Sequence, residues 1–167
     1  MTSPMHTNAA EMARAGSTRV RTDAATAAAI RDLFRVAHEF FSSDLATREH
    51  LDAGSHMTGW RRIGIEYSQR ADRPDLNETY CYRRHDDDGT LPEHPVLDAA
   101  RRAQDHLDRL AADVLAGLGE VAGVPAGSAA VRTRNESWLQ LNYSHPSTVG
   151  RDFIQDAHED GHLITLL

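Results

Sequence analysis

The sequence contains a single cysteine and no lysine, and its first residues lack a basic segment that leads into a long apolar run. One thiol cannot form a disulfide within the chain, so we expect Cys81 to be a small packed side chain in a protein of the reducing cytoplasm. The N-terminal pattern predicts neither a signal peptide nor a membrane span. A net charge of −7 without a clustered basic patch argues against a nucleic-acid partner.

Alongside these absences, the composition is that of a globular protein. The 167 residues are 40% hydrophobic and 26% charged, which provides enough apolar material for a real core. The chain contains no internal repeat, and its length suits one folded domain.

Two amphipathic helices dominate the hydrophobic pattern. Asp23 suits the N-cap of the first helix, and Pro95 suits the first turn of the second. The first apolar stripe comprises Ala27, Ile30, Leu33, Phe34, Ala37, Phe40 and Phe41; the second comprises Leu97, Ala100, Ala103, Leu107, Leu110, Val114, Leu118 and Val121. The charged residues off the second stripe are expected in water: Arg101, Arg102, Asp105, Asp108 and Arg109. Shorter helices are predicted over residues 11–15 and 44–50, and residues 1–8 are expected to fray.

Alternating patterns predict strands over residues 77–82 and 137–143, and a brief strand over 17–21. In the first of these strands, Tyr80 and Tyr82 share one face and Cys81 takes the other. Residues 53–60 are expected to form a loop, and residues 83–89 a solvated charged turn.

The last stretch, residues 153–167, has strand-like runs and carries a histidine and a carboxylate two residues apart. In a strand, His158 and Asp160 would project from the same face, with Glu159 on the other. One imidazole and one carboxylate supply two-thirds of the 2-His-1-carboxylate triad that holds Fe(II) and leaves coordination positions open. An ordinary hydrogen-bonded pair at a strand end is the alternative.

The pattern His158-x-Asp160, followed by the apolar run 163–167, resembles the metal-binding strand of the isopenicillin N synthase family, which includes the 2-oxoglutarate-dependent dioxygenases. The resemblance implies an α+β fold. An N-terminal helical region with short strands (1–128) would pack on the first strands of a double-stranded β-helix, or jelly roll (129–167), that is incomplete in this chain. It also implies Fe(II) held by His158 and Asp160, 2-oxoglutarate as co-substrate, and O2. The implied reaction oxidises an unactivated C–H bond of a small natural-product or amino-acid-derived substrate.

Further site residues follow from the same resemblance. Asn142 and Ser144 occupy the place of an Asn-x-Tyr pair that contacts the co-substrate carboxylates, and the serine departs from that pattern, which leaves open whether 2-oxoglutarate is used. Tyr143 is an alternative donor to a substrate carboxylate. The candidates for substrate contact, each with aromatic packing as its alternative, are Trp60, Tyr80 and Tyr82.

The third metal ligand has no candidate at the expected place. In the resembled family a second His and an Arg-x-Ser follow the His-x-Asp strand, whereas nothing follows Leu167. We therefore expect the chain to correspond to the N-terminal half of a family member, which is either truncated or completed by a second chain that supplies the missing groups. A non-catalytic interaction subunit is the rival interpretation. A hydrolytic zinc site made of His158, Asp160 and His162 is a third.

Overall fold

The computed structural model describes residues 4–52, 54, 58–123, 137–144, 152–158, 162 and 164–167, with the backbone alone over 4–7. Within them, four α-helices occupy Pro4–Ala15 (α1), Ala24–Phe41 (α2), Leu45–Glu49 (α3) and Pro95–Ala122 (α4). The strands Gly59–Arg61 (β1), Asn77–Arg83 (β2) and Trp138–Ser144 (β3) form an antiparallel sheet in the order β1-β2-β3. A 3-10 turn, Arg84–Asp86, follows β2. This arrangement is α+β, as predicted, and none of the described helices is long and apolar enough to cross a membrane.

Local sequence signals set the helix ends. Asp23 and Asp44 cap α2 and α3 by accepting hydrogen bonds from the backbone N–H groups of Thr26 (2.6 Å) and Thr47 (2.8 Å). Gly123 ends α4 with φ +70°, a left-handed conformation that glycine adopts without steric cost. The predicted limits of the two long helices are confirmed.

The first helix is longer than the sequence pattern predicted. It begins at Pro4 instead of near residue 11, so the expectation that residues 4–8 fray is wrong. Proline is tolerated in the first turn, and α1 packs along α4, where Ala9 is buried. Packing against a neighbouring helix stabilises a start that local propensity alone does not indicate.

The core lies between α2, α4 and one face of the sheet. Its members are Leu33, Val36, Ala37, Phe40, Phe41, Leu51, Trp60, Tyr80, Tyr82, Val96, Leu97, Ala99, Ala100, Ala103, Leu139 and Leu141. Phe34, which the sequence placed on the apolar stripe of α2, is 66% exposed, and Val36 is buried instead. Each residue turns an α-helix by about 100°, which carries Phe34 past the edge of the face centred on Leu33, Ala37 and Phe40.

Two expectations about charged residues are wrong. Asp108, expected in water, is buried and accepts a hydrogen bond from Ser137 Oγ (2.6 Å). The turn at residues 83–89 is not merely solvated, because Asp87 accepts hydrogen bonds from Arg101 Nε (2.7 Å) and Tyr82 OH (3.0 Å). In both places a polar partner compensates the cost of removing a carboxylate from water.

Strand predictions succeeded where a partner strand exists. Both long strands are confirmed, with β2 and β3 paired along their full length. Residues 17–21 are irregular, and no strand among the described residues pairs with them. The predicted loop 53–60 ends in a strand instead, because Gly59–Arg61 pairs with β2. Isolated strands are marginal in water, so pairing decides which extended segments persist.

The tail, which we define as residues 152–167, does not form the predicted strand in its described part. Residues 152–158 make irregular backbone and side-chain contacts with residues 66–76 instead of a regular ladder. Asp160 lies outside the described residues, as do Glu159 and the expected boundary between residues 128 and 129. The sheet nevertheless joins strands from both sides of that boundary.

Candidate functional site

The two faces of the sheet carry different chemistry. Because side chains alternate along a strand, Tyr80 and Tyr82 of β2 face the helices together with Leu139 and Leu141, their partners on β3. The opposite side, here called the polar face, carries Arg61, Asn77, Thr79, Cys81, Gln140, Asn142 and Ser144. Two of the predicted site residues, Asn142 and Ser144, therefore lie on the polar face.

Asn142 is the most connected of the exposed side chains on the polar face. Its Oδ1 accepts hydrogen bonds from Asn77 Nδ2 (3.2 Å) and Gln140 Nε2 (2.8 Å). With the oxygen engaged twice, the group that Asn142 presents to a ligand is its amide NH2, which only donates. A fixed amide donor on an exposed polar surface suits an anionic oxygen such as that of a carboxylate.

Cys81 lies at the centre of the same face and is fully buried. Burial raises the pKa of its thiol to about 11, against the lowering effect of the nearby Arg61 guanidinium. The Arg61 Nη2 donates to Cys81 Sγ at 2.6 Å, and the same guanidinium pairs with Glu66. The expected packing of Cys81 is confirmed, and its reactivity stays a prediction.

The four aromatic candidates lie on the other side of the sheet, away from Asn142. Trp60 is buried and donates from Nε1 to Glu78 Oε2 at 2.8 Å. Tyr143 stacks on Phe41, with ring centroids 5.0 Å apart. The packing alternative thus describes Trp60, and Tyr143, predicted as a donor to a substrate carboxylate, also packs on the helix-facing side. The structure brings neither of them together with Ser144.

Tyr80 and Tyr82 also belong to the core and not to the polar face. Tyr80 meets the Phe40 ring edge-on at 5.5 Å, and burial raises the pKa of its phenol. Burial also raises the pKa of Tyr82 to about 12, and its hydroxyl donates to Asp87. Both rings are buried in the core, as the packing alternative predicts, and contact of either phenol with a substrate stays a prediction.

His158 is exposed, and its ring has a defined orientation. Its Nδ1 lies 2.9 Å from the backbone oxygen of Asp156. A carbonyl oxygen only accepts, so Nδ1 carries the proton, and in the neutral ring the lone pair is on Nε2. Metal-binding histidines are commonly fixed in this way by a hydrogen bond from the other ring nitrogen.

Two described residues of the tail, Ile154 and His162, lie near opposite ends of the β2–β3 ladder. Ile154 O accepts from Leu76 N, next to the first residue of β2. His162 meets the ring of Trp138, the first residue of β3, edge-on at 5.2 Å. Trp138 is in register with the polar face, so His162 lies on that side of the sheet.

A metal site is only partly represented among the described residues. In that part of the chain no group of three or more His, Cys, Asp or Glu side chains could hold a metal ion. The donor chemistry fits Fe(II) as far as it is described, since a neutral imidazole with its lone pair on Nε2 is a suitable ligand. The second predicted ligand, Asp160, lies outside the described residues.

Several polar-face residues escaped the sequence analysis. The sequence pattern gives no signal for Arg61, which directly follows the predicted loop 53–60, or for Asn77, which begins a strand dominated by aromatic residues. Gln140 lies two residues before Asn142 and so was detectable as its neighbour on one face.

No family model matches the sequence, and no curated protein matches it. Among solved structures, the chain is similar to full-length Neurospora crassa T7H in complex with alpha-KG, with a TM-score of 0.51 and 14% sequence identity. The match covers 75% of this chain and 43% of that chain, so the protein spans less than half the length of its structural neighbour. At this identity the similarity concerns the fold alone.

Proposed function

We propose that this chain is the N-terminal part of an Fe(II)- and 2-oxoglutarate-dependent oxygenase related to the isopenicillin N synthase family. The observation that carries the proposal is the fold similarity to a protein bound to alpha-KG, which is 2-oxoglutarate. The independent sequence pattern His158-x-Asp160 supports the same class. The substrate would be a small natural-product or amino-acid-derived molecule with an unactivated C–H bond.

In this proposal His158 binds the metal through Nε2, and Asp160 supplies a carboxylate oxygen. The orientation of the His158 ring supports its part, because the bond from Nδ1 to Asp156 O directs the lone pair away from the backbone. Fe(II), with 2-oxoglutarate and O2, would supply the oxidising chemistry when bound. The chain's own contribution is to hold the ligands and to shape the polar surface beside them.

The polar face is the proposed co-substrate surface. Asn142 offers its amide NH2, and Ser144 offers a hydroxyl on the same exposed strand end. Donors of this kind form shortened, charge-assisted hydrogen bonds with carboxylates. Asn77 supports this surface indirectly, by engaging the Asn142 oxygen and fixing the orientation of the amide.

The test is an anaerobic Fe(II) titration with and without 2-oxoglutarate, followed by visible absorption. We expect a weak charge-transfer band that requires both components and is lost in His158→Ala. The matched control is His38→Ala, because His38 is an exposed histidine on α2, outside the tail and the polar face. A band of full strength in His158→Ala would contradict the proposed metal site.

A second candidate function is a subunit that needs a partner chain to complete its metal site. The observation that favours it is the extent of the structural match, which covers 43% of the neighbour. The partner would carry the missing His and an Arg-x-Ser. The same titration separates the candidates: a band with this chain alone favours a self-sufficient site, and a band only after the partner is added favours completion in trans.

A further inference from the structure

Residues 66–76 form a closed loop, here called the anchoring loop, between β1 and β2. Its ends are joined where Asp75 N donates to Glu66 O at 2.8 Å. The Asp75 carboxylate is buried, with the residue 5% exposed, and it accepts hydrogen bonds from Ser68 N (3.2 Å) and Ser68 Oγ (2.9 Å). A buried carboxylate is tolerated only with such partners, so Asp75 fixes the shape of the loop.

The anchoring loop contacts successive residues of the tail. Four consecutive tail residues each receive one contact from it, and the last of them directly precedes His158. The contacts are Leu76 N to Ile154 O (2.8 Å), Gln155 Nε2 to Asp75 Oδ2 (3.4 Å), Arg73 Nε to Asp156 Oδ1 (3.2 Å), and Gln69 Nε2 to Ala157 O. These contacts fix residues 154–157, which directly precede His158.

Asp156 links the anchoring loop to the imidazole ring. Its carboxylate is largely buried and pairs with Arg73, while its backbone oxygen accepts from His158 Nδ1. The side chain of Asp156 is therefore held by the loop, and its backbone oxygen is held by the imidazole ring. The bond that sets the tautomer of His158 thus depends on contacts that the loop provides.

We propose that the anchoring loop, with Asp75 as its buried anchor and Arg73 as its contact to Asp156, positions His158 so that its Nε2 is presented for metal binding. Asp75 and Arg73 are positioning residues, since neither touches the metal-binding nitrogen. The part of this inference that concerns metal rests on the proposed function. The part that concerns the orientation of the ring does not.

The test compares Asp75→Asn with Asp72→Asn. Asp72 lies on the same loop but is exposed (68% of its side chain) and pairs with Arg70, so it controls for any general change in the loop. Three properties are measured. These are hydrogen exchange of the amides of residues 152–158, the tautomer of His158 by 15N NMR at about pH 8, and Co(II) affinity as an air-stable substitute for Fe(II). The His158 signal is assigned by its loss in His158→Ala.

In Asp75→Asn we expect faster exchange over residues 152–158, partial loss of the Nδ1-protonated tautomer, and Co(II) binding weakened by about 10-fold or more, as is usual when a partner of a metal-ligating histidine is removed. Asp72→Asn should leave all three unchanged. Arg73→Gln is the second variant should Asp75→Asn fail to fold. Its side chain is 51% exposed, so its replacement spares the core.

Three results decide the inference. Faster exchange with an unchanged tautomer and unchanged Co(II) affinity would overturn it, because the loop would then be merely structural. Unchanged exchange in both Asp75→Asn and Arg73→Gln would also overturn it. If the wild-type chain binds no Co(II) even with a completing partner, the proposed function fails, and the tautomer and the exchange rates still decide whether the loop positions His158.

Discussion

The two sides of the sheet differ in what they bury. The helix-facing side of β2 buries aromatic rings against α2, whereas its other side buries Asn77, Thr79 and Cys81 at 3%, 1% and 0% exposure. Burying amides and hydroxyls contributes less to stability than burying apolar groups and costs free energy where hydrogen bonds are lost. We therefore expect stability to be concentrated on the helix-facing side, whereas the polar face is the surface that we propose for binding.

The largest expected effect comes from the helix-facing side. Phe40 is buried against Phe41, Tyr80 and His94, with ring centroids 5.2–5.5 Å apart. Phe40→Ala should lower the free energy of unfolding by about 3–5 kcal/mol, because it removes apolar contacts and leaves a cavity. Urea unfolding followed by circular dichroism measures the loss.

The matched control is Phe34→Ala on the same helix. Phe34 is mostly exposed, so its truncation should change the free energy of unfolding by no more than about 0.5 kcal/mol. Equal losses in the two variants would mean that α2 does not present the face described here.

A smaller loss of stability is expected at the edge of the helix-facing side. There the Asp87 carboxylate accepts hydrogen bonds from the Arg101 guanidinium and from the hydroxyl of Tyr82. Arg101→Met should cost about 2 kcal/mol near pH 7, because it leaves a largely buried carboxylate without its cation. Arg35→Met is the control, since Arg35 pairs with Asp32 and Glu39 on an exposed surface where ion pairs contribute little.

The same pair predicts a pH dependence. The hydrogen bond from Arg101 holds the pKa of Asp87 below its usual value near 3.8. A depressed pKa contributes stability that is fully present above the unfolded value and is lost as the pH falls through the folded value. The difference in unfolding free energy between wild type and Arg101→Met should therefore shrink between about pH 5 and pH 2. A difference that grows on acidification would contradict this assignment.

On the polar face the corresponding effect is chemical. Full burial and a pKa of about 11 leave Cys81 mostly protonated at pH 8, with about 100-fold less thiolate than at its usual pKa of 9.0. Reaction with a disulfide reagent should therefore be at least about 10-fold slower in the native chain than in urea. The smaller thiolate fraction is partly offset by the higher nucleophilicity of a more basic thiolate, and burial restricts access to the sulfur. Rapid labelling of the native chain would mean that the polar face is open at β2.

Local patterns predicted the two long helices and the two long strands of this fold. Nonlocal contacts determine the start of α1 and the strand β1, which local patterns did not predict. Asp23 and Pro95 mark the starts of their helices, because a cap or a first-turn proline depends only on neighbouring residues. Alternation along residues 77–83 and 138–144 gives the strands and the separation of Tyr82 from Cys81. The predicted strand around His158 is wrong in its described part because a strand depends on a partner, which a local pattern does not reveal.

The candidate site shows the same limit. Asn142 and Ser144 were predicted from the family resemblance, and strand alternation places both on one face. Asp75 was missed because its contact with Gln155 joins residues 80 apart in the sequence. Tyr143, the alternative donor, lies on the opposite face from Asn142, since adjacent strand residues point to opposite faces, and it packs on Phe41.

The smallest expected change in stability is also the sharpest test of the comparison. Leu141 and Asn142 are adjacent on β3, one buried among the core residues and the other exposed on the polar face. Leu141→Ala should cost about 2–4 kcal/mol, whereas Asn142→Ala should change the free energy of unfolding by less than about 1 kcal/mol, the worth of its side-chain hydrogen bonds. Asn142→Ala should instead weaken 2-oxoglutarate binding, measured calorimetrically with Co(II) and any completing partner present, because it removes the amide donor. If Asn142→Ala lost as much stability as Leu141→Ala and bound 2-oxoglutarate normally, the polar face would contribute to stability and not to binding. The proposed difference between the two sides of the sheet would then be wrong.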